Sequence, residues 1–331
     1  DVLTTTDHRL FIQGALALLI ADPSEDNALD VLSRISQLMT EFISDKDFID
    51  MLRVTQVAIA RGQLEAQDLG PLKDQLAEEF PAGNVIMNRE LIRLLAFLKA
   101  SNIIDRYLTY IESDASKPDR VHVAMHLRFL TEGWQTEQKL RLIDFLADAR
   151  QWQGGSSYPL YIRNVTRDFA KRLTDEEIVP VLQRGAEWPD AALGCLYRLP
   201  EQLPEDLLAA LIELDEEIDG RTDAPSKQLM VGIVAVLARS GDDISMSYLR
   251  EIWDRNPERR EPVAMGLAQR PDDENWECLV NSLPILEEGT LRIVLKQLQK
   301  VDKIPEEPEP YRQAIISGLK LEKNGALDAI Q

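Results

Sequence analysis

Apolar residues recur along this chain at helical spacing from end to end. In Glu90–Leu98, Leu91, Leu94, Leu95 and Leu98 fall at i, i+3, i+4 and i+7, which sets them on one face of a helix. Leu140, Ile143, Phe145 and Leu146 repeat that spacing, as do Leu291, Ile293, Val294, Leu295 and Leu298. No stretch sustains the period-two alternation of β-branched residues that a half-buried strand requires. The pattern predicts many helices of about 10–17 residues joined by short turns. Helix starts are marked at Asp22-Pro23-Ser24, Ser44-Asp45, Thr174 to Glu177 and Gly241-Asp242-Asp243, where oxygen-bearing side chains can accept from orphan amides. Proline punctuates Trp188-Pro189, Leu199-Pro200, Leu203-Pro204, Asn256-Pro257 and Arg270-Pro271.

The turns repeat. Leu237-Ala238-Arg239-Ser240-Gly241-Asp242-Asp243 is echoed by Leu267-Ala268-Gln269-Arg270-Pro271-Asp272-Asp273, 30 residues on. A third copy starts at Leu298, and an earlier pair, Leu98 and Leu130, lies 32 apart. A period near 30 fits two short helices and two turns, a unit that buries its apolar face only by stacking on its neighbours. The expected fold is therefore all-α: one HEAT-like α-α superhelix, a solenoid over residues 1–331, stacked right-handed in nine or ten helix pairs. A non-repetitive helical bundle is the alternative. An irregular insert is expected over 134–172, and the Pro/Glu run Pro305–Pro310 reads as a stiff exposed link before the last helices.

Composition narrows the function. The chain is 44% hydrophobic and 28% charged, with only 6% aromatic residues, an ordinary folded composition that favours helix. Its formal net charge is −20, so a phosphate backbone is repelled. This argues against nucleic acid as a partner, and against a HEAT-type DNA-repair role. The longest apolar run, Ala15–Ala21, is far too short to span a bilayer, so no membrane insertion is expected. The chain opens at Asp1 without a signal peptide, which suggests a processed or excised product. Cys195 and Cys278 sit in apolar helical settings and read as buried free thiols.

Motifs for catalysis are missing. There is no phosphate-binding glycine loop, nucleotide fingerprint or Cys-x-x-Cys pair. His122 and His126 share a helical face at i, i+4, but Val123 stands where a zinc protease carries its glutamate, and no third ligand is in view. No metal and no cofactor are expected; the pair reads as groove-facing or inter-helix. The acidic run Glu213–Gly220 lacks calcium-loop spacing and reads as a solvated helix end. Gly154-Gly155-Ser156-Ser157 reads as a turn followed by a serine cap.

The segment 134–167 gathers Trp134, Trp152, Tyr158, Tyr161, Arg163 and Arg167. Tryptophan, tyrosine and arginine are enriched at binding hot spots, so these six are the candidate partner-binding residues. The competing account has the tryptophans plugging an irregular repeat. An enzyme-accessory or ligand-binding module centred on 134–167 is the runner-up to a non-catalytic scaffold for a protein partner or for neighbouring domains of the same chain.

Asn88 to Leu95, then Leu127-Arg128-Phe129-Leu130 with Gly133-Trp134, then Trp152-x-Gly154-Gly155-Ser156 and Arg163-Asn164 with Arg167-Asp168 form a series. Over residues 85–185 it resembles the HEAT-like segment of very large bacterial secreted proteins. Those often carry a sorbosone-dehydrogenase-like β-propeller and a c-type cytochrome domain. Neither a propeller nor a haem-attachment motif is present here, so the resemblance implies a scaffold from a multidomain envelope protein, periplasmic or secreted, without a redox role.

Overall fold

The computed structural model describes residues 2–302 and 307–323. Among them are eighteen α-helices and no strand, so the chain is all-α. It divides into two compact units, Asp1–Arg172 and Leu173–Gln331.

The first unit holds α1 (His8–Ala21), α2 (Glu25–Leu38), α3 (Asp45–Gly62), α4 (Gly70–Glu78), α5 (Val85–Phe97), α6 (Ile104–Glu112), α7 (Lys117–Leu127), α8 (Thr136–Ala149) and α9 (Tyr158–Ala170). Helices α1, α3, α5 and α7 pack in succession as one layer. Pairs α2–α4 and α6–α8 lie in the other, each touching the first layer through its chain neighbours. The helical stripes read from sequence form the interior between them: Phe11, Leu52, Leu91, Leu95 and Leu127 are fully buried.

The second unit holds α10 (Asp175–Gln183), α11 (Pro189–Leu196), α12 (Glu205–Ile218), α13 (Ala224–Ser240), α14 (Asp243–Arg255), α15 (Arg260–Leu267), α16 (Asp273–Ser282), α17 (Glu288–Leu298) and α18 (Glu309–Lys323). Here α11, α13, α15 and α17 pack in succession, with α10–α12 and α14–α16–α18 as further successions. The echoed leucines Leu237, Leu267 and Leu298 fall near or at the ends of α13, α15 and α17, so the repeat in sequence is a repeat of that layer.

The caps stand where the sequence marked them. Ser24 and Ser44 accept from the amides of Asn27 and Asp47, Asp242 accepts from Ser245 at 2.8 Å, and Thr174 and Glu177 form a capping box. The other helix ends share a second device. Arg106, Arg221 and Arg239 donate to the carbonyls of Phe80, Ala186 and Leu199, 26 to 40 residues earlier, at 3.1, 2.7 and 2.8 Å. Each of these carbonyls lies just past a helix C-terminus, where orphan acceptors and the negative end of the dipole favour a guanidinium. Consecutive repeats are thus tied by arginine as well as by apolar contact.

Several expectations need correction. The acidic run is a helix end that is only partly solvated: Glu213, Glu216 and Glu217 are exposed, but Asp215 and Ile218 are completely buried, and Asp215 pairs with Arg259. Cys195 is buried as expected, but Cys278 is only partly so. Ser157 precedes α9 without a side-chain cap bond; Pro159 in the first turn, where no amide partner is needed, starts that helix instead. Within 134–172, α8 and α9 leave only residues 150–157 irregular between them. Of the Pro/Glu link, Pro305 and Glu306 lie outside the described residues, while Glu309 and Pro310 already belong to α18.

Candidate functional site: a polar strip across α3, α5, α7 and α9

The first unit carries a continuous line of polar contacts from α3 to α9. On α3, Arg53 and Gln56 reach Glu90 of α5, at 3.4 Å from Arg53 Nε and 2.9 Å from Gln56 Nε2. Arg93, one turn further along α5, donates to the same carboxylate at 2.7 Å. Arg89 reaches Asp119 of α7 through Nε and a terminal nitrogen, at 2.7 and 2.6 Å. Ser116 also donates to Asp119 across the first turn of α7.

Burial pushes both carboxyl groups upward, but their donors outweigh it. Gln56 with Arg93 and Arg53 holds Glu90 below its ordinary value, and Ser116 with Arg89 does the same for Asp119. The acids lie underneath. Side-chain exposure is 9% for Glu90 and 6% for Asp119, against 54%, 45% and 46% for Arg53, Arg89 and Arg93. The outer surface of the strip is therefore guanidinium.

On α7 the histidine pair continues the line. His122 Nε2 lies 3.3 Å from the Arg89 carbonyl, and His126 Nδ1 lies 2.7 Å from the His122 carbonyl. Both carbonyls only accept, so each ring donates from that nitrogen, and the two rings lie 4.6 Å apart. Burial first, with nearby arginines, lowers the pKa of both histidines. Among the described residues no group of three His, Cys, Asp or Glu side chains is placed to hold a metal ion. The line ends at α9, where the Tyr161 hydroxyl donates to the Met125 sulfur at 3.1 Å and Asp168 lies 3.9 Å from Arg128. Phe97 and Phe129 stand exposed beside it, with Arg128 over the Phe129 ring at 4.8 Å.

The histidines set a stability window. Their lowered pKa means the unfolded chain binds protons more readily near pH 6.5, so stability falls as pH drops through that value. The depressed Glu90 and Asp119 contribute in the same direction, but only as pH falls towards the ordinary carboxylate range around 4. Urea unfolding at pH 7.5 and 5.5 should show a loss that the His122→Gln/His126→Gln variant lacks; an equal loss in that variant would assign it elsewhere.

The six residues singled out in 134–167 are spread over the turn before α8, the end of α8 and helix α9. Trp134 donates to the Leu130 carbonyl at 3.0 Å and meets Phe169 edge-on. Gly133, at φ +81°, has Ser101 where a Cβ would stand, which brings this turn close to the start of α6. Trp152 packs edge-on against Phe145 and donates to Asp148, while Tyr158 donates to the Ala149 carbonyl at 2.8 Å. Tyr161 joins the strip through its contact with Met125; Arg163 and Arg167 are half-buried on α9. Sequence reasoning missed Arg53, Gln56, Arg89, Glu90, Arg93 and Asp119 as members of a site. A signal was present: Arg89 and Arg93 form an i, i+4 pair that recurs 33 residues later as His122 and His126, the same position of the next repeat.

In the second unit, α13, α15 and α17 border an open groove of about 570 Å³, lined by Val231, Met265 and Ile293 with Gln269 and Gln297, and without a charged residue. No helix among the described residues is long and apolar enough to cross a membrane. Comparison with protein-family models, curated proteins and solved structures found no match.

Proposed function

We propose that the chain is a HEAT-like helical-repeat module that docks a protein partner, or neighbouring domains of its own chain, and catalyses no reaction. The polar strip is its docking face. The observation that carries this reading is the strip itself: arginines and aromatic rings from α3, α5 and α7, three successive helices of one layer, joined by the Tyr161 contact from α9, on an accessible surface. Repeat arrays present such continuous faces because equivalent positions recur in register. The stepwise packing of alternate helices within each unit supports a solenoid. The bacterial envelope setting belongs to the same proposal and rests on the resemblance.

Photo-crosslinking tests it. A crosslinking amino acid in place of exposed Phe129 should capture discrete protein adducts from an envelope fraction of the source organism. The same group at exposed Ile244, on α14 of the second unit, should not. An identical adduct pattern from both positions, or none from Phe129, would remove the docking role from the strip.

A further inference from the structure

Taking the strip as a docking face, we infer that the segment it receives is acidic: a short peptide stretch rich in Asp and Glu. The argument is charge complementarity. The chain carries a net charge of −20, so most of its surface repels such a segment. The strip reverses that locally. The carboxylates of Glu90 and Asp119 are buried beneath the arginines that neutralise them, and two part-exposed acids, Asp50 beside Arg53 and Asp168 near Arg128, stand at the strip's margins, whereas Arg53, Arg89 and Arg93 each leave about half of their side chain in solvent.

A guanidinium has five N–H donors, and the ion pairs here use only some of them. The remaining donors belong to side chains about half exposed, and a guanidinium's planar geometry fits a carboxylate through two hydrogen bonds. Beneath, the buried acids hold the arginines in place, so little side-chain freedom is lost when a ligand binds. Phe97 and Phe129 offer apolar contact to residues interspersed among the acids. A long polyanion such as nucleic acid meets the same arginines but must also cross the acidic surface around them, so a short acidic peptide is favoured.

The probe is a fluorescein-labelled octapeptide of glutamates with two leucines, titrated with the full chain at 50 mM salt and followed by anisotropy. Saturable one-to-one binding is expected, weakening about tenfold or more at 300 mM salt. Arg53→Gln/Arg93→Gln should weaken it at least tenfold, while Arg93→Lys, which keeps the charge but loses the planar fork, should bind less tightly than wild type and more tightly than Arg93→Gln. Glu90 loses partners in the double variant. Phe129→Glu is therefore the second arm: it adds a negative charge at an exposed position and should also weaken binding about tenfold.

No saturable binding of the peptide would overturn the acidic assignment. Adducts at Phe129 would then still leave the docking face standing, and their absence would remove both. Binding that survives both Arg53→Gln/Arg93→Gln and Phe129→Glu would overturn the location. Equal or tighter binding of a single-stranded DNA octamer would overturn the choice of peptide.

Discussion

Asp215→Ala should cost the second unit about 3–5 kcal/mol, the scale for breaking a buried ion pair by removing one partner. Asp215 is fully buried on α12, and Arg259, which precedes α15, grips it with two bonds of 2.6 and 2.8 Å. The Tyr248 hydroxyl donates to the same carboxylate at 3.0 Å, and Arg255 donates to that hydroxyl at 2.9 Å. Burial, with the adjacent carboxylate, raises the Tyr248 phenol well above its ordinary value, so it stays a donor.

Removing the carboxylate leaves the Arg259 guanidinium, itself almost wholly buried, with only the part-exposed Asp219 at 3.5 Å as counter-charge. That penalty exceeds the net worth of the pair. The double variant Asp215→Leu/Arg259→Met should therefore lose less than Asp215→Ala alone. Denaturant unfolding of the three proteins checks this. A single variant within 1 kcal/mol of wild type would mean that the pair is solvated in solution.

Much of the fold could be read along the chain because helices are local. The i, i+3, i+4 stripes, the serine and aspartate caps and the leucine-marked turns each depend on residues within a few positions of one another. They placed the starts of α2, α3, α10 and α14 and the repeat of α13, α15 and α17. What failed depends on distance. Asp215 stands in an acidic run whose composition suggests solvent, and its partner is 44 residues away. The helical spacing nevertheless carried a warning. Leu208, Leu211, Asp215 and Ile218 follow the buried stripe of α12, so the aspartate occupies a core position.

The candidate site was half legible for the same reason. The i, i+4 pairs of arginine and histidine were visible on their helices. Their union with Arg53 and Gln56 through a buried glutamate was not, because that requires the packing of α3 on α5. Composition misleads in a related way: a net charge of −20 describes the whole surface, not a strip in which Glu90 and Asp119 are buried under exposed arginines.

Trp152→Ala should destabilise the first unit by about 2–3 kcal/mol, less than the 3–5 kcal/mol of a fully buried tryptophan because the ring is only half-buried. Trp152 lies just past the end of α8 and meets Phe145 edge-on, with ring centres 5.6 Å apart. Its indole nitrogen donates to Asp148 at 3.1 Å, one turn back on the same helix. From α7, Lys117 and Arg120 lie over the ring at 4.8 and 5.0 Å, a cation–π arrangement that joins the end of α8 to the start of α7. Alanine leaves Lys117 without its π face and Arg120 with only that of Phe145, and uncovers Phe145, which is otherwise buried. Trp152→Phe keeps an aromatic face but loses the indole donor, so it should recover more than half of the loss. Denaturant midpoints of the two variants measure the stabilising role. A docking role is separable: Trp152→Phe, with stability largely kept, should leave crosslinking at Phe129 unchanged if the ring serves only the fold. An unaltered midpoint in Trp152→Ala would overturn the structural role and leave the ring available to a partner.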